Sequence, residues 1–156
     1  MALQHITVIG AGTMGNGIAH VFAQSGFPVV LVDVNPAQLE KALQTITRNF
    51  DRQIGKGTVS EEQKQKALAN LTTDTDLAKA VSKADLVVEA ATENAELKLK
   101  IFKQIDEAAP AQAILATNTS SISITKIAAA TSRPGKVIGM HFMNPVPVMK
   151  LVEIIN

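Results

Sequence analysis

The stretch Ile6-Thr7-Val8-Ile9-Gly10-Ala11-Gly12-Thr13-Met14-Gly15 decides how the rest of the chain is read. Four residues of β character run into three glycines, and Asn16-Gly17-Ile18-Ala19-His20-Val21-Phe22-Ala23 then follows a helical pattern. A strand that turns into a helix through such a loop makes a cradle for phosphate. Gly10 makes the tight turn, Gly12 lets a pyrophosphate approach the backbone, and Gly15 lets the helix pack closely on the strand. The free N–H groups and positive end of the helix hold the anion. The whole loop, Gly10, Ala11, Gly12, Thr13, Met14 and Gly15, is therefore a candidate binding segment.

A glycine loop alone is a weak signal, and its surroundings strengthen it. Asp33 closes the next apolar run, Val29-Val30-Leu31-Val32, 18 residues after Gly15. A carboxylate there accepts the ribose hydroxyls of a dinucleotide and repels a 2′-phosphate, which favours NAD over NADP. Further β-rich runs lie at 86–89, 113–116 and 137–140, with helical patterns at about 13–25, 36–55, 60–70, 75–83, 94–109 and 122–131. This alternation predicts an α/β fold, a Rossmann-like, doubly wound and mostly parallel sheet with right-handed crossovers. The stretch 36–70 is charged, amphipathic and too long for one crossover, with Gly55-Lys56-Gly57 as a turn near its middle. It reads as a helical-hairpin insertion within one domain spanning 1–156.

Composition narrows the function. The 156 residues carry 15 basic and 14 acidic side chains, a net charge of +1, with no long run of one sign, so no nucleic-acid footprint is expected. Five Phe and no Trp or Tyr argue against base-stacking surfaces and membrane belts. No apolar run approaches the roughly 20 residues of a membrane span. Cysteine is absent, which removes disulfides, thiolate metal sites and a Cys nucleophile. The three histidines lack metal-ligand spacing, so no metal is expected, and His5 and His20 are read as structural. The N-terminus has no signal-like pattern, and a cytoplasmic location is expected.

The second half is dense in small polar groups at strand ends. Thr117-Asn118-Thr119-Ser120-Ser121 and Met140-His141-Phe142-Met143-Asn144-Pro145 both follow β-rich runs, at the sheet edge where open α/β folds bind ligands. Glu153 stands 12 residues after His141 inside the apolar run Met149–Ile155, where a carboxylate is expected to be shielded and paired.

Together, Val-Ile-Gly-Ala-Gly-Thr-Met-Gly (8–15), Val-Val-Glu-Ala-Ala-Thr-Glu-Asn (87–94), Ala-Thr-Asn-Thr-Ser-Ser (116–121) and Gly-Met-His-Phe-Met-Asn-Pro-Val-Pro-Val-Met-Lys-Leu-Val-Glu (139–153) resemble the 3-hydroxyacyl-CoA dehydrogenases, most of all their bacterial 3-hydroxybutyryl-CoA branch. The resemblance covers essentially the whole chain. It implies an NAD-binding domain and interconversion of a 3-hydroxyacyl-CoA, usually the L isomer, with a 3-ketoacyl-CoA. It also implies His141 as catalytic base, Glu153 as its partner, and Ser120 as the serine that hydrogen-bonds the substrate oxygen. A histidine titrates in the range that hydroxyl deprotonation requires, and a shielded carboxylate stabilises its imidazolium. Ser120 and Ser121 also precede a helical pattern, so which of them caps it stays open.

By the same resemblance Glu93 and Lys98 lie near the nicotinamide ribose, against a reading as an ordinary charged helix face. Asn144 matches a cofactor contact, against a turn-forming Asn before Pro145. Arg48, Arg52 and Lys56 share a face of the 36–55 helix, either as contacts to CoA phosphates or as a solvated basic face. Family members continue into a helical domain that closes the cleft and forms most of a homodimer interface, and that domain is expected to be absent from this chain. The apolar end near 145–155 is then expected to associate with something. Two rival functions are a hydrolase built on Ser120, His141 and Glu153, which lacks a Gly-x-Ser-x-Gly elbow, and a non-catalytic NAD-binding module.

Overall fold

The computed structural model describes residues 3–91, 94–118, 124–142 and 152–155, with the backbone alone for 141–142 and 152–155. Strand β1 (Ile6–Ile9) is buried at every position, as is β4 (Leu86–Glu89). β2 (Val29–Val32) and β5 (Ile114–Thr117) are nearly so. Such near-continuous apolar runs suit parallel strands covered on both faces. Successive side chains alternate between two cores. Ile6, Val8, Leu31, Leu86 and Val88 pack with α1 (Thr13–Gln24) and α2 (Pro36–Gly55). Ile9, Val32, Val87 and Leu115 pack on the other face with α4 (Leu77–Val81), α5 (Ala95–Ala108) and α6 (Ile124–Ala129).

The strand order is β3-β2-β1-β4-β5-β6-β7, where β3 is Leu71–Asp74, β6 Val137–Phe142 and β7 Val152–Ile155. Neighbours are parallel except β7, which runs antiparallel to β6. The Rossmann-like, mostly parallel sheet is as expected. The helical hairpin at 36–70 is present as α2 and α3 (Glu61–Ala69), capped by Asn35 on Ala37 and by a reciprocal Ser60–Gln63 box. Strand β3 was not anticipated. Of its residues Leu71 alone is buried and both threonines are exposed, so it lacks the apolar run that marks its neighbours. Its presence makes the hairpin the crossover from β2 to β3.

The hairpin is fastened to α1 at His20. The imidazole stacks on Phe50 with ring centroids 4.0 Å apart, and its Nε2 faces Gln24 Oε1 and Gln53 Oε1 at 3.1 and 3.0 Å. Two acceptors on one nitrogen put the proton there, and burial pushes the pKa down, so the ring is neutral. This agrees with a structural role.

The segment that launches β6 is held by Arg133. Its guanidinium pairs with Asp106 at 2.8 Å and donates to the carbonyls of Asp106, Ala109, Pro110 and Ala113, tying the end of α5 to the start of β5. Asp106 also accepts from the backbone and hydroxyl of Ser132. Partial burial would raise the Asp106 pKa, but the Ser132 amide, Arg133 and the Ser132 hydroxyl outweigh it and hold the carboxyl below its ordinary value. Arg133→Ala is expected to cost about 2–3 kcal/mol, the scale of hydrogen bonds to a charged group. Urea unfolding measures it. Because the folded-state pKa is depressed, the Asp106 contribution is complete above about pH 4 and fades as pH falls through the lower folded value. Asp106→Asn should therefore flatten the acid limb of stability against pH.

Candidate active site

Strand register gathers the polar residues at one edge. Ile9 lies beside Val32 on one side and Glu89 on the other, Glu89 beside Thr117, and Thr117 beside Gly139. The residues after Ile9, Val32, Glu89 and Thr117 leave the sheet at its carboxyl end, while β6 runs on to Phe142 beside β7. Strands β1 and β4 are the neighbours whose connections diverge, and an open α/β sheet binds its ligand in the crevice at that switch point.

The glycine loop fills the requirements set by its sequence. Gly10 has φ of +103°, and a Cβ there would meet Ala91 Cα at 2.6 Å and Ala90 O at 2.7 Å. A Cβ on Gly15 would stand 1.6 Å from the Gly10 carbonyl oxygen, so the first turn of α1 rests directly on the strand end. At Gly12 a Cβ would have no atom within 4 Å. No side chain caps the start of α1, and its first turn holds no acidic residue. Open space before an uncapped helix end fits a dinucleotide pyrophosphate.

Asp33 leaves β2 beside this loop, half-buried. Its Oδ2 accepts from the Ala11 amide and its Oδ1 from the Asn35 amide, both at 3.0 Å. The carboxylate expected to meet a ribose thus also braces the glycine loop. A cleft of about 360 Å³ opens on the far side, lined by Gly12, Thr13, Met14, Ala90, Ala91, Lys98 and Asn118. Larger hollows exist, including one of about 570 Å³ around His5, Val30, Thr72 and Lys79, but they lie away from the glycine loop.

Lys98 is not on a solvated face. It is 1% exposed, and its Nζ donates to Glu89 Oε1 at 2.7 Å and to Thr117 Oγ1 at 3.4 Å. Thr117 donates to the same Glu89 oxygen at 3.0 Å, while Glu89 Oε2 accepts from the Ala91 amide at 2.8 Å. Glu89 and Thr117 were not picked out from the sequence as site residues. The available signal was a charged residue closing an apolar run, the same one that marks Asp33.

His141 and Glu153 are register partners across the antiparallel β6–β7 pair. Both belong to the carboxyl-edge end of that pair. Glu93, Ser120 and Asn144 lie outside the described residues. Arg52 and Lys56 stand apart from the cleft, exposed near the far end of α2, some 24–30 Å along the helix from Pro36 at 1.5 Å per residue. Among the described residues no group of acidic or imidazole side chains could hold a metal ion, and no helix is long and apolar enough to cross a membrane.

The fold and edge define a dinucleotide-binding Rossmann domain. Residues 5–156 match the family described as 3-hydroxyacyl-CoA dehydrogenase, NAD binding domain, and the chain belongs to that family. It is 50% identical over 154 residues to a 3-hydroxybutyryl-CoA dehydrogenase of Bradyrhizobium diazoefficiens, covering 99% of this chain and 52% of the relative. It is 46% identical to the human mitochondrial hydroxyacyl-coenzyme A dehydrogenase, covering 99% of this chain and 51% of that protein. The crystal structure of (S)-3-hydroxybutyryl-CoA dehydrogenase from Ralstonia eutropha superposes with a TM-score of 0.94 at 49% identity, over 98% of this chain and 54% of that one. The chain spans about half the length of these relatives.

Two glycine substitutions separate folding from binding. Gly15→Ala drives a methyl into the Gly10 carbonyl and should destabilise by about 3 kcal/mol or more, read by denaturant unfolding. Gly12→Ala meets no protein atom and should stay within about 1 kcal/mol of the parent. NADH binding to Gly12→Ala, measured by calorimetry, should nevertheless fall, because the methyl occupies the phosphate's approach.

Proposed function

We propose that this chain is the cofactor half of an NAD-dependent dehydrogenase that interconverts a short 3-hydroxyacyl-CoA, of the 3-hydroxybutyryl type, with its 3-ketoacyl-CoA. The observation that carries the reading is the pairing of His141 with Glu153 across β6 and β7, at the edge that holds the glycine loop. A histidine in register with a glutamate at the end of a dinucleotide crevice suits removal of a hydroxyl proton.

When bound, NAD supplies the acceptor for the hydride from C3 of the substrate. The chain's own residues do the rest. The uncapped start of α1 holds the pyrophosphate, and Asp33 receives the adenosine ribose hydroxyls. An imidazole nitrogen of His141 takes the proton from the 3-hydroxyl as the hydride leaves, and returns it in the reverse direction. Glu153 holds the imidazole in one tautomer and stabilises the imidazolium that forms. Ser120 donates to or accepts from the same substrate oxygen, while Glu93, Lys98 and Asn144 receive the nicotinamide half. Arg52 and Lys56, both exposed on the insertion, are proposed to meet the phosphates of CoA. A second, helical part of the protein, as long again as this chain, is proposed to close the cleft over the acyl thioester and to form a homodimer. The location proposed for the reaction is the cytoplasm.

NADH consumption with acetoacetyl-CoA, followed by absorbance in the longest protein the gene encodes, tests the reaction. His141→Ala should lower kcat by at least about 10²–10⁴-fold, the usual cost of losing a general acid–base, with NADH affinity nearly unchanged. Turnover that survived this change would mean the proton leaves by another route. On the cofactor side, NADH should bind more tightly than NADPH, and Asp33→Ala should weaken NADH by about 1–3 kcal/mol while eroding the discrimination. Equal affinity for the two cofactors in the parent would remove the role given to Asp33.

A further inference from the structure

Buried beside the cleft is an ion pair whose presence stability alone does not account for. Glu89 is 0% and Lys98 1% exposed, and the two are joined at 2.7 Å. Taking both charges out of water costs about as much as their attraction returns, so apolar residues of similar volume would hold this position equally well. Their location offers another reason. Lys98 lines the cleft together with Gly12, Ala91 and Asn118. Among the described residues two of its three N–H donors are used, by Glu89 and Thr117.

Topology sets which half of a dinucleotide lies there. Asp33 leaves β2 on one side of the glycine loop, and Glu89 ends β4 on the other. The acidic residue after β2 marks the adenosine ribose, so the second nucleotide extends over the ends of β4 and β5. Resting on the NAD assignment above, we infer that Glu89 is a positioning residue for that second half. It fixes the Lys98 ammonium in the cleft wall, with the remaining N–H directed to the nicotinamide-side ribose, and contributes nothing to the adenosine side. Without the carboxylate, the lysine's flexible stem carries its charge toward water.

The test compares two ligands by isothermal titration calorimetry of the 156-residue chain, NADH for both halves and ADP for the adenosine half alone. Glu89→Gln, which keeps shape and removes charge, should raise the NADH Kd about tenfold or more while leaving ADP within about twofold. Lys98→Met should do the same, and the Glu89→Gln/Lys98→Met pair should be no worse than either alone, because both act through one contact. Equal weakening of NADH and ADP would assign the pair to the fold and overturn the positioning role. So would unchanged NADH binding in Glu89→Gln. Should that variant fail to fold, the double variant carries the test, since it leaves no unpaired charge. A folded double variant with the parent's NADH-to-ADP ratio overturns the role, as does failure of both variants to fold. A parent chain that binds neither ligand would instead sink the NAD assignment and this role with it.

Discussion

The contact between Gly15 and the carbonyl of Gly10 governs the architecture around it. With 1.6 Å between that oxygen and any added Cβ, the first turn of α1 can sit only where glycine stands. That closeness aims the helix end along the crevice between β1 and β4. Gly10 in turn fits under Ala90 and Ala91 only without a side chain. The end of β4 therefore has its position fixed by the same loop. Two strands and a helix converge on one point of backbone, and the site is what opens above it.

Convergence of this kind needs a rigid base, which two-sided burial supplies. The apolar positions of β1 alternate between two cores, Ile6 and Val8 toward α1 and α2, Ile9 toward α4, α5 and α6. Displacing the strand would disturb both cores at once. The outer parts of the sheet are fastened by polar means: His20 with Gln24 and Gln53 binds the hairpin to α1, and Arg133 with Asp106 binds the approach to β6. At Arg133 the tie also supplies donors to the carbonyls of Asp106, Ala109, Pro110 and Ala113 where α5 ends and β5 begins.

What could be read from the chain beforehand follows from the same physics. The glycine loop and Asp33 were legible because their chemistry is local, three glycines and one carboxylate at fixed distance from a strand. The helical hairpin was legible from its length and its turn at Gly55-Lys56-Gly57. Strand β3 was not, because Leu71-Thr72-Thr73-Asp74 buries only its leucine and owes its place to pairing with β2. The resemblance implied that His141 and Glu153 act together, and the antiparallel register sets one opposite the other. That Lys98 is paired with Glu89 was not legible, since the two lie nine residues apart on different elements. Such a partnership is decided by the fold and leaves no local pattern.

Asp33 and Glu89 show how the crevice is prepared in advance. Each is a carboxylate that ends an apolar strand, one on either side of β1. Each accepts an amide from a wall of the crevice, Asp33 from Ala11 and Glu89 from Ala91. They differ in what balances their charge. Among the described residues Asp33 accepts from backbone amides, and an accepting position on its half-exposed carboxylate suits a ribose. Glu89 is sealed and neutralised by Lys98, so what the pair can offer the crevice is an N–H donor. An acceptor on one side and a donor on the other give the cleft a direction. Because amides and strand ends already hold these groups, little ordering is left for the moment of binding.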